Sequence, residues 1–336
     1  MELTVESLQF AIDTKTKPLG SLGRLESLAI EIALAVNSLK PRLAKCELQL
    51  FAGDHGIAVE GVSAYPQEVT RQMVLNFLSG GAASTVIARQ LSIAVKIVNC
   101  GIVGEPVINS LLLDMQVAQG TNNFLYEPAM SAAQLQHAIG NGGVLGKAPS
   151  ADAVAMGEMG IGNSSSATLI ASKVMGLPVT NLVGRGTGLT NDALRRKGEI
   201  LTEASRRTSL VLAPMDALRE YGGFEIATMY GSMLGVAQSN KLVIVDGYIS
   251  TAAALCVLKL NPGLRRHFIF AHQSAERGHA AMLAHLNAEP VLNLGMRLGE
   301  GTGALVAWPI LQSAAAVLSD MASFADAGVS GPVESP

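Results

Sequence analysis

The stretch Ala153-Val154-Ala155-Met156-Gly157-Glu158-Met159-Gly160-Ile161-Gly162-Asn163-Ser164-Ser165-Ser166 decides how the rest of the chain is read. A short apolar run passes without interruption into glycines, and small hydroxyl residues then open a helix-length segment. That is the pattern of a buried strand, a tight turn and a helix start, with Asn163 or Ser164 placed to cap the helix. Working outward, the same pattern recurs. Residues 48–52 run into Gly53-Asp54-His55-Gly56, residues 95–98 into Asn99-Cys100-Gly101, and residues 179–183 into Gly184-Arg185-Gly186-Thr187-Gly188. Residues 242–245 run into Asp246-Gly247-Tyr248, and residues 267–270 into Ala271-His272-Gln273-Ser274-Ala275-Glu276. Helix-length segments at 66–90, 165–174 and 227–238 separate most of these runs. Apolar strands alternating with helices predict an α/β fold, a parallel, Rossmann-like sheet with helices on both faces. Ligands of such sheets bind beyond the carboxyl ends of the strands. Here the Gly, Asp, His and Glu residues collect at those ends.

The two ends of the chain read differently. Leu22, Leu25, Leu28, Ala29, Ile32 and Leu34 repeat at helical spacing, after a turn at 17–23 in which Ser21 is the expected cap. Beyond His285 the sequence returns to Ala/Leu-rich helical character. The expected organisation is therefore a large α/β domain over 40–285, a smaller helical lobe from 1–39 and 286–325, and a frayed tail over 326–336. The apolar stretch 303–318 contains Pro309, Gln312 and Ser313 and is shorter than the ~20 residues of a membrane span, so it reads as a buried helix.

Composition sets the outer limits. The 336 residues are 49% hydrophobic with a formal net charge of −3, which excludes a disordered chain and a broad nucleic-acid-binding face. Only 15% are charged, well below the ~25% of an average soluble protein, so much surface is expected to be hidden in a core or a subunit interface. Cys46, Cys100 and Cys256 are too few and scattered for a disulfide framework or a zinc knuckle. The N-terminal residues are acidic and polar, unlike a signal peptide, and the expectation is a cytoplasmic protein.

Three features carry chemistry. The glycine turn at 157–163 is spaced GxxGxG, neither the GxGxxG dinucleotide fingerprint nor a Walker loop. Its backbone N–H groups and the following helix dipole nonetheless favour an anion, above all a phosphate. The second glycine loop at 184–188, with Lys197 on the next helix, strengthens that reading. Glu300, flanked by glycines in Leu298-Gly299-Glu300-Gly301-Thr302-Gly303, can approach a ligand closely and serve as a general base. The alternative is that Thr302 caps the next helix and Glu300 only complements its dipole. Glu158 faces the same choice beside the first glycine turn. Asp54-His55 and His272-x3-Glu276-x2-His279 raise a metal question, but neither has a ligand spacing that answers it, and no metal is expected.

At these motifs the sequence resembles the nicotinate-nucleotide–dimethylbenzimidazole phosphoribosyltransferase family. The matching stretches are Lys17-Pro18-Leu19-Gly20-Ser21-Leu22-Gly23-Arg24-Leu25-Glu26, Ala52-Gly53-Asp54-His55-Gly56, Gly157-Glu158-Met159-Gly160, His272-Gln273-Ser274-Ala275-Glu276 and Met296-Arg297-Leu298-Gly299-Glu300-Gly301-Thr302-Gly303-Ala304. The resemblance implies transfer of phosphoribose from nicotinate mononucleotide to a benzimidazole-type base, without cofactor or metal, by a homodimer. It implies Glu300 as general base with Glu158 as second carboxylate. It places the donor phosphate at Gly160, Gly162, Asn163 and Ser164 near Lys197, and the nicotinate near Ser274 and Gly301. The acceptor pocket it implies is lined by Tyr65, Gln67, Met73 and Leu298, and it leaves open whether the base is dimethylbenzimidazole, a simpler benzimidazole, adenine or a phenol. A dehydrogenase would need GxGxxG after the first strand. A diphosphate-donor phosphoribosyltransferase would need an acidic pair before a Thr-Gly loop. Neither pattern is present in the sequence.

Overall fold

A computed structural model describes residues 3–147, 150–186 and 188–330. Thr187 of the second glycine loop and the last six residues of the expected tail lie outside the described residues. The strands are β1 (Cys46–Gly53), β2 (Ala94–Gly101), β3 (Leu112–Asp114), β4 (Ala153–Met159), β5 (Leu242–Val245) and β6 (Phe268–Phe270). The helices begin with α1 (Val5–Asp13), α2 (Arg24–Ala35), α3 (Val69–Ser79), α4 (Ala83–Gln90) and α5 (Ala132–Gly146). They continue with α6 (Asn163–Met175), α7 (Asn191–Ser205), α8 (Pro214–Tyr221), α9 (Phe224–Gln238), α10 (Tyr248–Leu260) and α11 (Arg277–His285), and end with α12 (Thr302–Asp320) and α13 (Phe324–Ala327).

The strands form one sheet in the order β3-β2-β1-β4-β5-β6, every pairing parallel. This is the doubly wound order, and its switch point falls between β1 and β4, where the chain turns from one half of the sheet to the other. The pleat divides each strand between two cores. Val154 and Met156 join Val243, Val245, Phe268 and Phe270 under α5, α6, α9 and α10. Ala153 and Ala155 join Leu48, Leu50, Leu242 and Ile244 under α2, α4 and α12. The terminal helices thus pack on each other and complete one face of the sheet, so a boundary drawn at 285/286 runs through a shared core. Helix α12 is long and apolar enough to cross a membrane, yet more than half of it is buried inside the fold, with Pro309 within it.

Four local expectations are corrected. Residues 179–183 form no strand; Val179–Asn181 is a 3-10 turn, entered through Pro178 and anchored by buried Val179 and Leu182. The segment 66–90 is two helices, because Gly80 ends α3 with a left-handed backbone. Helix α2 is entered from Gly23 with no side-chain cap, so Ser21 does not cap it; Glu26 in its first turn instead accepts the Leu22 N–H of the preceding turn at 2.9 Å. The expected tail begins inside a helix: Ser323 caps α13, and Val329 N–H bonds the Phe324 carbonyl.

Candidate active site

The carboxyl ends of β4, β5 and β6 open on a cavity of about 350 Å³, within the ~300–1,000 Å³ typical of small-molecule sites. One wall is the glycine turn. Helix α6 starts from Gly162, in left-handed backbone, with no side chain capping it. Asn163 and Ser164 therefore do not cap; both side chains are committed elsewhere. The Asn163 amide donates to Glu158 Oε2, and Lys197 Nζ donates to Ser164 Oγ at 2.8 Å. Lys197 reaches in from α7 and is only 1% exposed, and burial lowers its pKa to about 8. Of the turn's amides, Ile161 N–H bonds Thr70 Oγ1, Asn163 N–H the Gly160 carbonyl and Ser165 N–H the Gly162 carbonyl, so the polar side chains at this point are the Ser164–Lys197 pair.

The turn fits only because Gly160 lacks a side chain. A Cβ there would meet the Gly53 carbonyl oxygen at 2.3 Å and His55 Nε2 at 3.2 Å. Beneath it lies a buried pair, His55 Nε2 to Glu225 Oε1 at 2.6 Å, with His55 Nδ1 bonded to Ser166 Oγ at 2.9 Å. His55 thus supports the turn from behind. Asp54 ties the end of β1 to the loop that leaves β2 by accepting the Val103 N–H at 2.8 Å. His279 accepts the Ser274 N–H at 2.8 Å and contacts Thr251 Oγ1 at 2.9 Å; burial and the neighbouring His272 hold it neutral, with a pKa of about 3. These histidines are scaffold for the loops. Among the described residues, no group of three or more His, Cys, Asp or Glu is arranged to hold a metal ion.

The cavity also has an acidic wall. Glu158 projects from β4, and Oε1 lies against Gly299, where a Cβ would be 2.2 Å away. Glu300, 5% exposed, accepts both Ser84 Oγ (3.1 Å) and Ser84 N–H (3.4 Å) on Oε2. Thr302 spends its hydroxyl on the Gly299 carbonyl at 2.8 Å, and Gly301 holds the N-cap position, so Thr302 is not the side-chain cap of α12. Burial, then the nearby Asp246 charge, pushes Glu158 up to about 8, and burial raises Glu300 as well. Glu158 is therefore poised to hold or take a proton near neutral pH.

Gly160, Gly162, Asn163, Ser164, Glu158, Glu300, Ser274, Tyr65, Met73 and Leu298 all line the cavity. Tyr65 and Leu298 are more than half exposed and stand at the rim. Gln67 does not reach the wall; Val62, Val69 and Met159 occupy that side with Met73. The Gly301 N–H is turned away to Asp246 Oδ2 at 3.2 Å. Sequence reasoning missed Asp246, Ser84 and Arg297. His272 and Glu276, which the sequence raises only as metal ligands, both line the cavity. Arg297 also fastens the second glycine loop by donating to the Gly186 carbonyl at 3.2 Å. A strand end followed by Asp-Gly was the one signal that pointed to Asp246.

A doubly wound sheet whose strand-end cavity joins a buried lysine–serine pair to two buried carboxylates fits a class, enzymes acting on small phosphorylated substrates. A family model described as Phosphoribosyltransferase matches residues 2–329. The chain is 46% identical over 323 residues to the nicotinate-nucleotide–dimethylbenzimidazole phosphoribosyltransferase of Variovorax paradoxus, covering 96% of this chain and 93% of that one. It is 48% identical over 332 residues to the enzyme of the same name from Ralstonia nicotianae, with the same coverage. The crystal structure of CobT from Thermus thermophilus superposes with a TM-score of 0.94 at 40% identity, covering 97% of this chain and 98% of that one. The chain belongs to the nicotinate-nucleotide–dimethylbenzimidazole phosphoribosyltransferase family.

Proposed function

We propose that this protein transfers the 5-phosphoribosyl group of nicotinate mononucleotide to 5,6-dimethylbenzimidazole, giving the α-riboside 5'-phosphate and nicotinate. The names of its relatives support that reading. The observation that carries it is that one cavity is lined by Glu158, Glu300 and Ser164, with Lys197 bonded to Ser164. The phosphate docks at the Ser164–Lys197 pair and fixes the ribose across the cavity. One nitrogen of the base attacks the anomeric carbon from the face opposite the pyridinium. The bond to nicotinate breaks as its electron pair neutralises the ring, and Glu300 takes the N–H proton from the other nitrogen. Glu158 stabilises the positive charge that develops on the sugar.

The apolar side made by Val62, Val69, Met73 and Met159 suits a flat aromatic acceptor, with Tyr65 and Leu298 at its entrance. We read the protein as a cytoplasmic homodimer, supported by the low charge content and by exposed apolar side chains such as Ile108, Leu111 and Tyr126. The test is to incubate it with nicotinate mononucleotide and a panel of bases, no metal added, and to identify α-ribosides by mass spectrometry. Glu300→Gln is expected to leave donor binding within about threefold and to lower turnover about 100-fold or more, the usual weight of a general base. Equal turnover in variant and parent removes Glu300 from this role.

A further inference from the structure

The turn that carries Glu300 is held in an uncommon shape. Gly299, Glu300 and Gly301 have φ of +85°, +61° and +79° in succession. For a residue with a Cβ, that backbone persists only where the surroundings over-determine it. Asp246 supplies that constraint from the end of β5. Its Oδ2 accepts the Gly301 N–H at 3.2 Å and its Oδ1 the Ala304 N–H at 3.0 Å, gripping the turn and the first turn of α12 together. The carboxylate is 2% exposed, and the nearest basic group among the described residues is His272 Nε2 at 3.8 Å. A buried acid without a close cation is costly unless backbone donors compensate it.

We propose that Asp246 is a positioning residue for the base: its carboxylate fastens the turn at 299–301 so that Glu300 stands in the cavity beside Glu158. This rests on the reading of Glu300 as the general base. The charged groups facing Glu158 and Glu300 are Glu225 from α9, Asp246 and His272, with Glu276 and Arg297 on the cavity wall and Lys197 behind it on Ser164. An ionised Asp246 opposes ionisation of Glu158. Removing its charge therefore lets Glu158 lose its proton at lower pH, and the acid limb of kcat moves down the pH scale.

The test is Asp246→Asn in the full chain, because asparagine keeps one acceptor and loses the charge. The expected result is a kcat lowered about tenfold or more with the donor KM within about threefold, and an acid limb moved to lower pH. In hydrogen exchange, the Gly301 and Ala304 amides are expected to exchange faster than the rest of α12. A variant with lower thermal stability but unchanged kcat, pH profile and exchange makes Asp246 a structural residue only and overturns the proposal. If Asp246→Asn does not fold, the substitution is repeated with Glu300→Gly, where the turn no longer strains a side chain. Recovery of folded protein supports the proposal, and continued failure to fold overturns it. The two readings fail separately: a fully active Glu300→Gln sinks the base but leaves the exchange result standing, whereas unchanged exchange in Asp246→Asn sinks the clamp alone.

Discussion

Burial makes Glu158 costly as well as useful. Its carboxyl is pushed up to about 8 by desolvation and then by Asp246, whereas in the unfolded chain it titrates near 4.5. Its contribution to stability is therefore fully present below about pH 4.5, where it is protonated in both states. It is lost as pH rises through the folded value near 8, because the unfolded state ionises first. Glu158→Gln keeps the shape and an acceptor for Asn163 and removes this titration. Calorimetry is expected to show the variant more stable than the parent by about 2 °C or more near pH 8, and nearly equal to it near pH 5. A difference that does not change with pH would show that the carboxyl is not held protonated. Glu158 and Glu300 were legible in the sequence because glycines flank them. Asp246 was not legible as their partner, since nothing in the spacing along the chain says that the end of β5 meets the head of α12.

Ser164 at the start of α6 is met by a lysine from α7. Burying an ammonium against one hydroxyl costs stability at every pH where it stays charged, and Lys197 is lowered from 10.5 to about 8 for that reason. Lys197→Met is expected to melt higher than the parent without donor while raising the donor KM about tenfold or more, because the phosphate loses its charged partner. A lower melting temperature, or an unchanged KM, would remove the lysine from donor binding. The elements themselves were legible in proportion to their length and to the clarity of their period. Strand β5 was read at its observed ends, and β1, β2 and β4 within a few residues. The 3-10 turn at Val179–Asn181 is a short apolar run that periodicity cannot separate from a strand. The three-residue β3 is defined by its pairing with β2 and has no pattern of its own. Helix α5 carries Gly140, Gly142, Gly143 and Gly146, which propensity counts against a helix. Its glycines are explained by packing: a Cβ at Gly142 would lie 1.8 Å from the Thr228 carbonyl oxygen of α9.

At the scale of the molecule, the acidic wall of the cavity and the lysine behind Ser164 titrate in opposite senses, and the donor links them. Glu158 and Asp246 are raised to about 8 and about 7, and Lys197 is lowered to about 8. A bound pyridinium cation favours ionised carboxylates, so binding near pH 6 expels protons and tightens as pH rises. A bound phosphate favours the ammonium, so binding near pH 9 takes up a proton and weakens as pH rises further. Affinity for nicotinate mononucleotide is therefore expected to peak between about pH 7 and 8. Titration calorimetry in two buffers of different ionisation enthalpy reads the proton traffic directly, as release on the acid side and uptake on the alkaline side. The donor phosphate ionises near pH 6 on its own and adds to the acid limb. The controls are therefore the single-site variants: Lys197→Met loses the alkaline limb, and Glu158→Gln flattens the acid one. Affinity independent of pH from about 6 to 9, with no proton exchanged, would separate the carboxylates and the lysine from the donor and undo the assignment of both.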